Sequence, residues 1–198
     1  WHPEPNEYVT EAISYVQEHF TDAYGNRDAF FWPVTYEDAN RWFDDFLMNR
    51  LVLFGRYEDA IHHDETVLFH SALSPLLNIG LLIPSDVVDA ALRHAQEHDI
   101  PITSLEGFIR QMIGWREFIR AVYLIAGKKE QTSNVLGLVH PVPPCFWTAA
   151  TGIEPVDTSI RRVLNNAYCH HIERLMVLGN IMLLAEFHPD RVYDWFSE

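Results

Sequence analysis

The feature that most constrains the fold of this chain is a helical spacing of apolar residues that recurs along nearly its whole length. Apolar side chains return every three or four positions after Asn6, Thr35 and Pro84, and each of these residues favours the start of a helix. No stretch alternates apolar and polar residues over the length of a strand. The sequence therefore predicts an all-α fold, a single multi-helix domain of about seven or eight helices over residues 1–198.

Two segments have the form of a capping box, in which a hydroxyl at the helix start and a carboxylate three residues later satisfy free backbone N–H groups. One begins at Thr35 and the other at Thr103. We expect the first to open a helix that ends near Phe54, and the second to open a long helix that ends at Gly127.

The stretch 70–82 combines two hydroxyls, a proline and an apolar run that ends at Gly80. Ser71 or Ser74 can accept hydrogen bonds from the first turn of a helix, and Pro75 suits the first helical position. Unpaired N–H groups beside small hydroxyls, at the positive end of a helix dipole, form a binding site for a phosphate. A capped core helix without a ligand is the alternative, and spacing alone favours it.

The predicted long helix carries a second group of candidate residues. Gly114 lies in its interior, where glycine is unfavourable by about 1 kcal/mol relative to alanine. Close approach by a ring or by another backbone would explain it, and an ordinary helix–helix contact is the alternative. Arg110, Arg116 and Arg120 supply permanently charged guanidinium groups that bind phosphates or carboxylates. For Arg116, a solvated or structural ion pair with Glu117 and Glu106, without any ligand, is the alternative.

Two pairs of adjacent histidines are the remaining candidates. His170 and His171 would point about 100° apart on a helix, so they do not easily bind one metal ion, whereas a histidine in a pocket can donate a proton near neutral pH. A hydrogen-bonded core histidine is the alternative. His62 and His63 precede two acidic residues with no third-ligand pattern nearby, which favours an exposed turn over a metal site. We predict no metal site in the chain.

Charge and cysteine content limit the classes of function. The chain has 14 Lys and Arg against 28 Asp and Glu, so its net charge is −14. This charge does not favour general binding to nucleic acid, although a local basic patch is compatible with it. Two cysteines indicate a reducing compartment, and no apolar run is long enough to cross a membrane, so we expect a cytoplasmic location. Residues 1–5 have neither a basic region nor an apolar stretch, so they do not form a signal peptide. The chain begins with Trp1 rather than an initiator methionine, from which we expect a piece of a longer chain.

Three stretches together resemble the photolyase and cryptochrome superfamily. Residues 70–77 resemble its flavin-phosphate motif, residues 114–118 its Trp-Arg-Glu-Phe helix, and residues 151–157 its Thr-Gly-x-Pro-x-Val-Asp segment. Further segments are similar to the photolyase-related branch of bacterial (6-4) photolyases and cryptochromes that carry an iron–sulfur cluster: residues 30–35, 54–60, 106–111, 168–176 and 179–180. The resemblance covers nearly the whole chain.

This resemblance implies a helical domain that holds FAD in a folded form between helices. By this likeness, part of the stretch 70–82 would contact the pyrophosphate, and part of the long helix would line the pocket. The first set is His70, Ser71, Leu73 and Ser74, and the second is Arg110, Gln111, Trp115 and Arg116. The chemistry would be light-driven electron donation from reduced flavin, for which the protein supplies position and electrostatics.

The same likeness places His170 and His171 on the lesion side, where the family uses histidine as a proton donor in the repair of (6-4) photoproducts. Trp147 and Trp195 would be aromatic steps for electron transfer to the flavin. Damaged DNA would then be a partner, with the lesion flipped into the pocket.

Departures from the family pattern define the alternatives. Pro155 replaces one cluster-ligating cysteine and Cys145 is out of register, so we expect no iron–sulfur cluster in this chain. We also expect the family's antenna domain and C-terminal cluster-binding segment to be absent from residues 1–198. A blue-light photoreceptor of cryptochrome type without repair activity is one alternative, and a truncated helical module without a cofactor is another.

Overall fold

A computed structural model describes residues 1–197 of the chain, and nearly all of its regular structure is helical. The α-helices are α1 (Glu7–His19), α2 (Tyr36–Asn49), α3 (Leu51–Tyr57), α4 (Ser74–Asn78), α5 (Pro84–Glu97), α6 (Ile102–Ile109), α7 (Trp115–Thr132), α8 (Glu154–Asn166), α9 (Asn180–Leu184) and α10 (Pro189–Ser197). Within these residues the strand-type pairing is limited to an isolated bridge between His140 and Phe187. The all-α prediction is confirmed.

Four shorter helical segments complete the fold. Arg27–Ala29 and Pro144–Phe146 are 3-10 turns, and Arg110–Gly114 and Glu173–Gly179 are π-helical. Among residues 1–197, no helix combines the length and apolar character that a membrane span requires.

The chain divides into two compact units. The first contains Trp1–Thr10, Phe31–Ala60 and Val67–Lys128. The second contains Glu11–Phe30, Ile61–Thr66 and the chain from Lys129 onward. The single domain over residues 1–198 stays a prediction.

Aromatic side chains from three helices form the centre of the first unit. Phe46 of α2, Phe54 of α3 and Phe108 of α6 are all buried. The ring centroids of Phe46 and Phe108 lie 4.9 Å apart, and those of Phe54 and Phe108 lie 5.9 Å apart. Both distances fall in the range of favourable aromatic pairs, so these rings hold α2, α3 and α6 together.

The capping box at Thr35 is confirmed. Its hydroxyl accepts a hydrogen bond from the backbone N–H of Asp38 at 3.1 Å, and it donates to the Asp38 carboxylate at 2.8 Å. The helix from this cap is shorter than predicted, because the backbone leaves helical geometry at Arg50 (φ −124°, ψ −30°) between α2 and α3. The Arg50 guanidinium is bound there by the carbonyl of His70 at 2.8 Å and the carboxylate of Asp45 at 3.1 Å.

The capping box predicted at Thr103 is wrong. Helix α6 begins at Ile102, directly after Pro101, and no side chain caps it. The next hydroxyl along the chain, that of the buried Ser104, instead accepts from the N–H of Gly55 at 2.9 Å and donates to a carbonyl of the α3 region at 3.1 Å. A tertiary contact has therefore taken the place of a local cap.

The predicted long helix is present but ends later than expected. Helix α6, the π-helical segment Arg110–Gly114 and helix α7 follow one another without a break, and α7 continues past Gly127 to Thr132. The core of the second unit lies elsewhere in the sequence. Its buried members are Val142, Phe146, Val156, Ile160, Leu178, Met182, Phe187 and Trp195.

Candidate functional site

The stretch 70–82 forms a short helix without a serine cap. Helix α4 has five residues, Leu73 occupies its cap position, and no side chain hydrogen-bonds there. The predicted capping by Ser71 or Ser74 is therefore wrong, although Pro75 does lie in the first turn. The reason is local: Ala72 adopts a left-handed φ of +53°, which brings Leu73 rather than a hydroxyl to the helix start.

Two of the four residues predicted to contact a pyrophosphate have buried side chains, namely His70 and Leu73. The carbonyl of Ser71 accepts the indole N–H of Trp42 at 3.0 Å, which ties this segment to α2. Ser71 is half-buried and Ser74 is exposed. Serine hydroxyls are therefore the side-chain groups that this segment offers to a ligand.

The second predicted set begins in a π-helical turn. Such turns are rare and occur frequently at functional sites. Gln111 is half-buried and Met112 is buried within the segment Arg110–Gly114. No backbone approaches Gly114 closely, because among residues 1–197 a Cβ atom there would meet only Arg110 Cγ, at an ordinary 3.7 Å, and the approach of a ring stays a prediction.

The arginines of the long helix differ in their partners. Arg110 pairs with Glu106 at 3.3 Å and Arg120 pairs with Glu117 at 3.2 Å, so the two glutamates considered as partners of Arg116 are paired with the other two arginines. Arg116 is exposed and forms no ion pair with any residue between 1 and 197. The neighbouring Trp115 is 51% exposed, so a charged group and a large ring are both exposed at consecutive positions of α7.

The paired histidines have opposite environments. His170 is only 2% exposed, whereas His171 is exposed. Burial, with smaller contributions from His171 and Arg162, lowers the pKa of His170 to about 4. At neutral pH His170 is therefore uncharged and carries no proton that it can release as an acid, so His171 is the better candidate for a proton donor.

A buried ion pair that sequence reasoning missed lies beside these histidines. Arg162 of α8 donates to the carboxylate of Glu173, and it also donates to the carbonyls of His62 at 2.6 Å and His63 at 2.5 Å. Burial raises the pKa of the Glu173 carboxyl, and the Arg162 charge opposes that rise. The partners of Arg162 are distant along the chain, so no local pattern signalled them.

The turn that contains His62 and His63 is exposed, as predicted. Its backbone carbonyls accept from Arg162 of α8, and the exposed His63 ring lies 3.6 Å from the carboxylate of Glu154, at the start of the same helix. In the part of the chain from 1 to 197, no three His, Cys, Asp or Glu residues come together to hold a metal ion. Cys145 and Cys169 are both thiols, and burial raises the pKa of Cys169 to about 12.

The two tryptophans predicted to carry electrons lie in one hydrophobic cluster. Trp195 is buried in the core of the second unit, and Trp147 packs against the same cluster. The Trp195 indole N–H donates to the carbonyl of Phe146 at 3.2 Å. The structure therefore brings these two rings into one packed region of the second unit.

Comparison with known proteins adds the family context. No protein family model matches this chain. The chain is 40% identical to a (6-4) photolyase of Agrobacterium fabrum over a 198-residue alignment that covers 98% of this chain. The chain is thus related to a photolyase. It spans 38% of the length of that photolyase.

The photolyase relationship extends over both compact units, because the alignment covers nearly all of the chain. An uncharacterized protein of Acanthamoeba polyphaga mimivirus is also similar. It is 39% identical over 105 residues, which are 52% of this chain and 80% of the viral protein.

Proposed function

We propose that this chain is a flavin-binding helical domain of a photolyase-like protein that repairs (6-4) photoproducts in DNA by light-driven electron transfer from FAD. The observation that carries this proposal is the 40% identity to a (6-4) photolyase across 98% of the chain. Because the chain spans 38% of that photolyase, the activity, the cofactor and the DNA partner all belong to the proposal.

The residues of the first unit have the chemistry that FAD needs. The exposed hydroxyl of Ser74 and the exposed guanidinium of Arg116 make no hydrogen bond or ion pair to residues 1–197, and both groups bind phosphate oxygens well. Trp115 offers a ring for stacking, and Arg110, Gln111, Ser71 and the backbone at His70 and Leu73 complete the proposed set. FAD, when bound and reduced, supplies the electron that light excites.

The second unit would supply the proton and the electron route. The exposed His171 donates its ring proton to the lesion, while the neutral His170 shapes the position from which it does so. Trp147 and Trp195 pass electrons towards the flavin through the hydrophobic cluster they share. We also propose a cytoplasmic location.

A photoreceptor without repair activity is the second candidate. The net charge of −14 favours it, because binding to a DNA backbone depends on clustered Lys and Arg, and only 14 such residues are present. Pro155 at the position of a cluster ligand in the resembled branch favours it as well. The two functions differ in one observable, which is the conversion of lesion DNA under light.

The test is repair of a (6-4) lesion by the full-length protein under blue light. We expect repair that His171→Ala abolishes and that His63→Ala leaves intact, since His63 is a second exposed histidine of the same unit. Full repair by the His171→Ala variant would contradict the role of that histidine. No repair by the unmodified full-length protein would contradict the lyase function and favour the photoreceptor.

A further inference from the structure

Three buried polar groups meet in the second unit where the paired histidines enter their helix. Arg162 donates through Nη1 to Oε1 of Glu173, and through Nη2 to two carbonyls of the turn 61–66. The other carboxylate oxygen, Oε2 of Glu173, lies 3.6 Å from Nε2 of His170. Arg162 therefore holds one oxygen of Glu173 in place while the second oxygen faces the His170 ring.

The Glu173 carboxylate also acts on the backbone of His170. Helical structure begins at His171, so Glu173 stands three residues after the last non-helical residue, the position from which the glutamate of a capping box reaches back. The backbone N–H of His170 contributes to lowering the Glu173 pKa, and the His170 carbonyl accepts from Arg174 N at 3.0 Å. His170 is thus held through its peptide groups, while Nε2 of its ring faces Oε2 of Glu173 at 3.6 Å.

Because His170 is neutral at pH 7, its ring exists as one of two tautomers, with the proton on Nδ1 or on Nε2. Glu173, Arg162 and His171 are charged or titratable groups that act on the ring, and burial is the largest cause of its lowered pKa. A neutral imidazole has one N–H, and a carboxylate can only accept. The 3.6 Å separation is longer than a hydrogen bond, and it is the negative charge of the carboxylate that favours the proton on Nε2, the nitrogen that faces Oε2 of Glu173, and the lone pair on Nδ1.

We propose that Glu173 is a positioning residue for the pair His170–His171, acting by selecting the Nε2–H tautomer of His170. Arg162 holds the carboxylate in the orientation that this selection needs. The inference rests on the proposed function, in which His171 donates a proton to a lesion. A neutral His170 with one fixed tautomer leaves His171 as the member of the pair that carries this proton.

Nitrogen-15 NMR of the imidazole groups of the 198-residue chain tests the proposal without any variant. Long-range couplings between ring protons and ring nitrogens identify the tautomer of each histidine. At pH 7 we expect His170 as a single Nε2–H form. An Nδ1–H form, or a mixture of both forms in exchange, overturns the proposal.

Glu173→Gln sharpens the test. The amide oxygen can still accept from Arg162, while the amide N–H groups face Nε2 of His170 and favour the Nδ1–H form. We expect the His170 tautomer to reverse. Retention of the Nε2–H form in this variant overturns the proposal, and if the variant does not fold, the measurement on the unmodified protein decides.

The matched control is Glu154→Gln. Glu154 Oε1 lies 3.6 Å from Nε2 of His63, the same separation as in the buried pair, but both side chains are exposed. We expect this variant to leave the His170 tautomer unchanged, and a reversal there would contradict a specific role for Glu173.

Repair by the full-length protein separates this inference from the proposed function. An Nε2–H tautomer that reverses in Glu173→Gln, in a protein that repairs no lesion, supports the positioning role and contradicts the lyase function. Repair by a protein whose His170 is in the Nδ1–H form supports the lyase function and overturns the positioning role.

Discussion

Gly55 is the position where a single methyl group is expected to damage the first unit most. A Cβ atom on Gly55 would lie 2.6 Å from backbone atoms of Thr103 and Ser104, which are parts of α6 that cannot move aside as a side chain end can. Overpacking of this kind costs typically about 1–3 kcal/mol. Separation of α3 from α6 would also weaken the two hydrogen bonds of the Ser104 hydroxyl, at about 1 kcal/mol each.

The net effect of Gly55→Ala follows from these opposing contributions. Alanine favours a helix over glycine by about 1 kcal/mol, which offsets part of the damage. We therefore expect the free energy of unfolding to fall by about 2–4 kcal/mol. Urea unfolding followed by far-UV circular dichroism measures this change, and the melting temperature should fall by roughly 5–15 °C for a chain of this size.

Gly107→Ala is the matched control, because it makes the same substitution in the facing helix α6. A Cβ atom there would meet Glu58 Oε2 at 3.2 Å, and this oxygen is the end of a flexible side chain that can move. We expect the stability of Gly107→Ala to lie within about 1 kcal/mol of the unmodified protein. Equal stability of the two variants would refute the close crossing of α3 and α6 at Gly55.

Three further outcomes follow from the buried polar groups. Ser104→Ala should lower the free energy of unfolding in urea by about 1–3 kcal/mol, because it removes both hydrogen bonds of the buried hydroxyl. The control Thr103→Ala, at an exposed position, should change this free energy little, and equal effects of the two variants would contradict the role of the Ser104 hydroxyl. The free energy of unfolding should fall by about 3 kcal/mol as the pH drops from 6.5 to about 4, because His170 is protonated in the unfolded chain at a higher pH than in the folded chain. His170→Gln should remove most of this loss, and an unchanged pH profile of stability in that variant would show another cause. Asp157→Asn should lower the melting temperature and speed amide exchange at Gly152, because the carboxylate accepts N–H groups of the loop before α8; protected amides in the variant would contradict this.

Helix starts whose determinants lie within one turn could be predicted from the sequence. The Asn6 side chain accepts from the N–H of Val9 at 3.0 Å, the Thr35 box forms, and Pro84 opens α5. The all-α class followed from the same local patterns together with apolar spacing.

Positions that depend on distant partners could not be predicted. Ser104 hydrogen-bonds Gly55, which lies 49 residues away, and Arg162 binds carbonyls 99 and 100 residues away. Local pattern therefore favoured a cap at Thr103, where tertiary contact uses the neighbouring hydroxyl instead. For the same reason the sequence did not distinguish the buried His170 from the exposed His171.

The π-helical segments are a further feature that periodicity did not show. Gly179 closes the second of these segments, and a Cβ atom there would approach the carbonyl oxygen of Arg174 at 3.0 Å. This oxygen lies five residues earlier, which is the spacing of a π turn. A glycine in an apolar helix was thus a usable signal for this turn, and Gly114 takes part in the other segment.

Flavin binding tests the central claim most directly. The purified chain is titrated with FAD, and bound flavin is followed by its absorbance at about 450 nm. We expect saturable binding that Arg116→Ala weakens about tenfold or more, while Arg120→Ala, which removes an arginine already paired with Glu117, has little effect. Absence of bound flavin, or equal affinity of the two variants, would contradict a flavin site built around the Trp115–Arg116 surface.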